Sequence, residues 1–341
     1  MPFIRKALLL HTSMNNTIST NIPPTSDDHG YCATIGFFDG VHRGHQFLIS
    51  KLTEMAHASG RKSMVITFDR HPRQVVQTDY VPRLITSLDE KLRLLAATDA
   101  DRVETLHFDV AMAALPARLF MQNVLHDRLG VSLLMTGYDN RFGHNRSEGF
   151  EEYVRFGHEM GMEVVQAPPL DVSGMRVSSS LVRRLIAEQG NVANANLCLG
   201  HPFAIEGRVV EGFQEGRKIG FPTANIQPAE PCQLVPRMGL YAARVSIEGG
   251  KWHKALLNVG NNPTFCRDHV SLEAHILDFD ADIYGKKIRV ETDRWMREER
   301  RFDSVDDLRR QLEKDREAII NMQERIRITL LKEEYGNKKS E

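Results

Sequence analysis

The 341-residue chain balances 44 Lys and Arg against 45 Asp and Glu, so it has no global field to hold nucleic acid or an anionic membrane. At 41% hydrophobic residues it can build two ordinary cores, yet no apolar run approaches the ~20 residues of a membrane span. Its four cysteines, Cys32, Cys198, Cys232 and Cys266, form no C-x-x-C pair; this excludes a disulfide framework and a zinc knuckle and suits a reducing cytoplasm.

Residues 1–30, rich in Asn, Thr, Ser and Pro over 14–29, read as a disordered leader, and Met14 offers a second start. Over residues 31–186, strand-like apolar runs alternate with helical patterns, the sign of βαβ units around a Rossmann-like parallel sheet. The expected strands are Tyr31–Ile35, Ser63–Phe68, Val103–Phe108, Val131–Gly137 and Glu163–Ala167, with helices through Gln46–Ser59 and around Ala117–Leu129. A helical stretch, Ser179–Leu199, follows, and its part over 187–200 is expected to link two domains. From 201 to 333 the texture changes to short strands between turn residues: Phe203–Val210, Gly239–Ile247, Lys254–Val259, Ser271–Leu277 and Lys287–Val290. That is the pattern of a small antiparallel β-barrel. A C-terminal helix opens on Ser304 and Asp307 as a capping box, and Val305, Leu308 and Leu312 give it an apolar stripe for docking. Residues 334–341 form a tail.

The first strand runs directly into "GFFDGVHRGH", Gly36 to His45. A strand-to-helix turn in a parallel sheet presents backbone N–H groups and positive potential to phosphate. Gly36, Gly40 and Gly44 let an anion approach the backbone, Phe38 and Asp39 lie between them, and His42 and His45, three apart, share a helix face and can donate to phosphate oxygens. Asp39 stands either on the metal side or as a turn acid, the second favoured by its glycine neighbour. The competing views are a glycine-rich turn with two exposed histidines or half a zinc site, and no second pair of ligands follows at metal spacing. In "RVSSSLVR", Arg176 to Arg183, the serines can cap a helix or hold phosphate, with Arg183 one turn on. In "GFQEGRKIGFPTAN", Gly212 to Asn225, glycines at 212, 216 and 220 supply a flexible flap, while Thr223 and Asn225 offer hard oxygen ligands that suit Mg²⁺ or satisfy their own backbone. Strand alternation sets Ser271, Glu273 and His275 on one face and Leu272, Ala274 and Ile276 on the other. Asn258 and Asn262 read as residues that hold loop turns, and Arg297 and Arg300 either close over a ligand or form a solvated charge run.

These residues carry a resemblance. H-x-G-H after a first strand resembles the nucleotidyltransferases related to class I aminoacyl-tRNA synthetases, and the longer string is similar to the adenylyltransferase module of bacterial bifunctional riboflavin kinase/FAD synthetases. "TGYDNRFGHNRSEG", Thr136 to Gly149, resembles that family's G-x-[DN]-F-x-F-G loop, with Asp139 at the Asn/Asp position and Asn140 where an aromatic is common. "RVSSSLVR" resembles I-S-S-T-x-I-R, with Ser180 in place of Thr, and "TFDRHPRQV", Thr67 to Val75, also matches and is expected to flank the flavin. "GRKIGFPTAN", "GLYAARV", "NVGNNPTF" and "EAHILDFDADIYG" follow the order seen in riboflavin kinases.

The resemblance implies two reactions: riboflavin with ATP gives FMN in the barrel, and FMN with ATP gives FAD and pyrophosphate in the sheet domain, with a divalent metal, Mg²⁺, in attendance. It implies that His42 and His45 stabilise the phosphates and Arg176 and Arg183 the leaving pyrophosphate. Gly36, Phe38, Asp39, Gly40, Gly44, Asp139, Ser179 and Ser180 line the first ATP site. Gly216, Lys218, Gly220 and Pro222 line the second, where Thr223 and Asn225 hold the metal and Glu273 takes the riboflavin hydroxyl proton. Small-molecule substrates, with neither nucleic acid nor membrane, complete the expectation, which sets no oligomeric state. Two other readings share these residues: an adenylyltransferase for another phosphorylated acceptor, and a flavin-binding regulator with a silent N-terminal module.

Overall fold

The computed structural model describes residues 30–77, 79–138, 140–212, 215–261, 270–300 and 302–337. The expected leader, Asp139, Asn262 and Cys266 lie outside the described residues. The chain divides into two compact units, one ending at Ser179 and the other starting at Ser180.

In the first unit, β1 (Tyr31–Ile35), β2 (Lys62–Phe68), β3 (Arg102–Leu106), β4 (Val131–Thr136) and β5 (Glu163–Gln166) form one parallel sheet in the order β3-β2-β1-β4-β5. Side chains that alternate along each strand build a core on both faces. Cys32, Val65, Leu133 and Met135 pack under α1 (Arg43–Ala58), which contributes Leu48, Ile49, Leu52 and Ala56. Ala33, Ile35, Met64, Ile66 and Leu134 face the other way, onto Phe120, Met121, Tyr153 and Phe156. Strand order reverses between β1 and β4, so the carboxyl ends of these two strands flank the crevice where open α/β sheets place ligands.

Helix α1 starts three residues earlier than the sequence pattern suggests because the His42 side chain accepts from the His45 N–H and caps it. Two short elements follow the sheet's second strand: α2 (Pro72–Val76), and α3 (Leu88–Ala96), which the sequence reading did not anticipate. After α4 (Val110–Ala113), the helix expected over Ala117–Leu129 is a single turn, α5 (Ala117–Leu119), that widens into a π-helical stretch, Phe120–His126. There the Asp127 N–H donates to the Gln122 carbonyl, five residues back. Helix α6 (Phe150–Met160) precedes β5, and a two-residue hairpin, β6 (Asp171–Val172) with β7 (Met175–Arg176), ends the unit.

In the second unit, α7 (Ser179–Ala187) continues past the division, and α8 (Val192–Leu199) docks on the barrel through Asn196, whose amide donates to the Thr292 carbonyl and accepts from the Phe203 N–H. The barrel is closed, in the order β10-β11-β12-β9-β8-β13. Its strands are β8 (Phe203–Val210), β9 (Ala224–Pro228), β10 (Gly239–Ile247), β11 (Trp252–Asn261), β12 (Val270–Ile276) and β13 (Lys287–Arg297), with the short α9 (Glu215–Lys218) ahead of β9. Strand β9 was read as loop, and β13 runs seven residues past its expected end at Val290.

Helix α10 (Val305–Asn337) closes the fold, and here two expectations are corrected. Val305 is 58% exposed, so the docking stripe is Leu308, Leu312, Asp315 and Ile319 instead. Arg297 is not available for a ligand run: its guanidinium meets the buried Asp315 carboxylate through Nη2 at 2.8 Å and Nε at 3.0 Å, and so fastens the helix to β13. Ser304 caps α10 by accepting from the Asp307 N–H, and its hydroxyl in turn donates to the Asp307 carboxylate.

Candidate active sites

The first site is the turn between β1 and α1. Phe38 (φ 55°) and Gly40 (φ 78°) take left-handed backbone angles, which fold Gly36–Val41 back on the sheet end before α1 begins. Asp39 is buried and fully engaged: its carboxylate accepts from the N–H groups of Ile85 (3.0 Å) and Thr86 (3.1 Å) and from the Thr86 hydroxyl (3.3 Å). Thr86 repays the contact, its Oγ1 accepting from the Gly40 N–H. Of the two roles left open for Asp39, these contacts match the turn acid.

The imidazoles of His42 and His45 stack, with centroids 3.5 Å apart and planes 17° from parallel, and Phe38 meets His45 edge-on at 5.1 Å. Because His42 Nδ1 accepts from the His45 N–H at 3.3 Å, a neutral ring carries its proton on Nε2 and presents that nitrogen as donor. Gly44 leaves little room: a Cβ there would lie 3.1 Å from His42 Nδ1 and 3.5 Å from the Val177 carbonyl. Two imidazoles at the N-terminus of a 16-residue helix form an arrangement that can donate to an anion.

Two other motifs converge on this turn. The Ser179 hydroxyl donates to the Asp39 carbonyl at 3.0 Å, which joins "RVSSS" to "GFFDG" across 140 residues. In the loop after β4, the Asn140 amide donates to the Ile35 carbonyl, and so spans the crevice between β4 and β1. The same loop is anchored further on by the Tyr153 hydroxyl, which accepts from the Phe142 N–H, while the two rings stack at 4.2 Å. Asn140, a departure from the family pattern, thus ties the loop to β1. Gly36 donates its N–H to the Ile66 carbonyl. Arg176, on β7, is exposed, pairs with Asp171 at 3.6 Å and lies 5.7 Å from the Tyr138 ring. Ser180 and Arg183 belong to the second unit's part of α7. His71, in the segment expected to flank the flavin, caps α2 through its Nδ1, which accepts from the Arg73 N–H.

The second site lies on the barrel wall, where β9, β12 and β11 run side by side. Register sets Asn225 opposite Glu273, and Glu273 opposite Asn258. The Thr223 hydroxyl donates to Glu273 Oε2 at 3.3 Å, beside the cross-strand partners Asn225 and Asn258. Burial along β12 alternates as expected: Leu272, Ala274 and Ile276 are buried, and Ser271, Glu273 and His275 are half-buried. Asn258 is a correction, because it stands within β11, in the ladder, rather than in a loop turn.

The strand-to-flap connection is held by His275, whose ring bonds the Pro222 carbonyl at 2.8 Å and lies 5.2 Å from the Phe221 ring. Burial lowers the His275 pKa against that hydrogen bond, and the nearby Arg316 charge adds to the lowering, so the ring is neutral at pH 7. The flap glycines sit against the site: a Cβ on Gly212 would overlap the Asn225 amide, 2.0 Å from Nδ2, and the Gly216 carbonyl accepts from the Phe221 N–H. Gly220 (φ 83°) turns the chain toward Pro222. The Lys218 side chain lies outside the described residues.

The sequence reading passed over Thr86, Lys91 and the placement of Asn258. Lys91 stands four residues before the buried Leu95 on the inner stripe of α3, where a charged residue interrupts the apolar pattern.

Comparison with known proteins gives the following. Residues 25–181 match the family model described as FAD synthetase, and residues 199–323 that described as riboflavin kinase. The chain is 40% identical over 286 residues, 84% of its own length and 90% of the relative's, to the bifunctional riboflavin kinase/FMN adenylyltransferase of Escherichia coli (strain K12). It is 36% identical over 290 residues, 85% and 92% of the two lengths, to the protein of that name from Pseudomonas fluorescens. A crystal structure of a macrolide-efflux protein from Streptococcus pneumoniae is similar with a TM-score of 0.78 and 30% identity, covering 88% of this chain and 96% of that one. Among the described residues, no helix is long and apolar enough to cross a membrane.

Proposed function

The chain belongs to the family of bifunctional riboflavin kinase/FMN adenylyltransferases, and on that footing we propose how its residues divide the two reactions. It phosphorylates riboflavin with ATP to FMN and adenylylates FMN with ATP to FAD, releasing pyrophosphate. Matches to both family models support this reading over an adenylyltransferase for another phosphorylated acceptor or a flavin-binding regulator with a silent N-terminal module.

Adenylyl transfer belongs to the β1–α1 turn. An FMN phosphate oxygen attacks the α-phosphorus of ATP, a displacement that asks for alignment and charge stabilisation rather than a covalent intermediate. His42 donates from Nε2 and His45 from beside it to the phosphate oxygens, while the α1 N-terminus adds its N–H groups. Arg176 takes the pyrophosphate, and Ser179, bonded to the Asp39 carbonyl, completes the ATP pocket. Asp39 acts at one remove, by fixing the turn.

Kinase chemistry belongs to the β9–β12 wall. Glu273 takes the riboflavin 5′-hydroxyl proton as that oxygen attacks the γ-phosphorus of ATP. The observation that supports this assignment is the Thr223 hydroxyl bonded to Glu273, with Asn225 of β9 in register opposite it. Gly216, Lys218, Gly220 and Pro222 form the flap over the nucleotide.

The donor set also suits a hard cation: a hydroxyl and an amide oxygen flank one carboxylate, which fits Mg²⁺ held largely by substrate phosphates. Among the described residues, no group of three or more His, Cys, Asp or Glu could hold a metal alone. Bound there through Thr223 and Asn225, Mg²⁺ would neutralise phosphate charge. We also place the protein in the cytoplasm, where its described thiols Cys32, Cys198 and Cys232 stay reduced.

The test is chromatographic, with riboflavin, ATP and Mg²⁺ supplied to E273Q. This variant is expected to lose FMN formation by ~10²–10⁴-fold while converting added FMN to FAD at the parental rate. Equal loss of both products would refute the division.

A further inference from the structure

Directly behind the β1–α1 turn lies a cation that neither reaction touches. Lys91, on α3, is 2% exposed. Its Nζ donates to the Phe68 carbonyl at 2.7 Å, at the end of β2, and stands 3.9 Å from the centroid of the Phe37 ring. Phe37 is clamped from other directions as well: His71 meets it edge-on at 4.8 Å, and its carbonyl accepts from the Thr67 hydroxyl at 3.1 Å. Two residues further along, Asp39 is held by Ile85 and Thr86, in the segment that leads into α3. The same helix and its lead-in thus grip the turn twice, through Phe37 and through Asp39.

Core filling alone does not account for a lysine here. An ammonium removed from water is costly unless it is paired and hydrogen-bonded, and an apolar side chain of similar length would pack beside Leu95 without that cost. What the ammonium adds is a directed bond to β2 and a cation–π contact to the turn. We propose that Lys91 is a positioning residue for adenylyl transfer, holding Phe37 and the end of β2 so that the Gly36–Val41 turn aims His42 and His45 at the phosphates. This inference rests on the assignment of that turn to FAD synthesis.

The charge on Lys91 is poised to change. Burial brings its pKa down from the ordinary lysine range to about 8, opposed in part by the charges of Asp39 and Asp69. The groups facing it are Asp39 from the turn, Asp69 from the end of β2 with its partner His107, and His71 across the Phe37 ring. On α3 itself, Glu90 is committed to Arg93. Because the folded-state pKa lies below the unfolded one, the buried charge costs stability at neutral pH, and that cost fades as pH rises through about 8. Protonation therefore serves the turn's shape at the expense of stability.

The experiment follows FAD formation from FMN and ATP by the full chain between pH 6.5 and 9.5, with FMN formation from riboflavin as the control within the same chain. K91M is expected to lower kcat for FAD formation roughly 10–100-fold, to leave KM for ATP and FMN within about threefold, and to leave FMN formation unchanged. The parent is expected to lose FAD-forming rate as pH passes about 8, and K91R, whose guanidinium stays charged, to retain part of the rate without that decline. FAD formation by K91M within about threefold of the parent, or the same alkaline decline in K91R, overturns the proposal. If K91M fails to fold, the parent and K91R profiles decide by themselves. H45A run alongside separates the two levels: an active H45A removes the site assignment, whereas an inactive H45A beside an active K91M removes only Lys91.

Discussion

On the proposed assignment His42 has a task for each ring nitrogen. Its Nδ1 caps α1, and Nε2 is the proposed phosphate donor, so the residue would couple helix stability to phosphate binding. Substitution separates the tasks, because asparagine is a good N-cap but cannot place a donor where Nε2 stands. H42N is expected to unfold within about 0.5 kcal/mol of the parent, and H42A about 1 kcal/mol lower, while both lose FAD formation by ~10²-fold or more; denaturant titration and product assay check the pair. A variant H42N with parental FAD output would leave His42 a cap and nothing else. The histidines and glycines were legible in the sequence by their fixed local spacing, and Glu273 by strand alternation and the family resemblance. Thr86 and Lys91 were not, since their partners are Asp39, 46 or 47 positions away, and Phe68 and Phe37 on other elements.

Strands that alternate or run wholly apolar announced themselves, and all five strands of the sheet were found near their observed ends. Strand β9 escaped because "PTANIQP" begins and ends at proline and pairs with β12 over only two residues, too short for a period to emerge. Helix α3 escaped for a different reason: its inward positions include Glu90 and Lys91, which break the apolar stripe that would have revealed it. The docking of α10 shows the same effect, since the stripe passes through Asp315, a charged residue buried by its bond to Arg297. Removing that carboxylate leaves a half-buried guanidinium without its partner. D315A is expected to destabilise the barrel unit by about 1–3 kcal/mol, read as a lower urea midpoint, with FAD formation from FMN unchanged. An unaltered midpoint would show that α10 is held by its apolar contacts alone.

At the scale of the molecule, each unit carries its own sheet and its own core. The order of motifs conveyed this arrangement from the sequence, because a parallel α/β pattern and a barrel pattern differ in period and in turn spacing. The details of the division were less legible: α8 is bonded into the barrel through Asn196, a contact made by one side chain to two strands and invisible to any local pattern. The central claim is that one chain holds two sites able to work separately, and mixing two crippled chains tests it most directly. E273Q and H45A, each incubated alone with riboflavin, ATP and Mg²⁺, should yield no FAD. Combined in one vessel they should produce it, with FMN made by the H45A chains consumed by the E273Q chains. A mixture that stays free of FAD while each chain is folded would contradict the account.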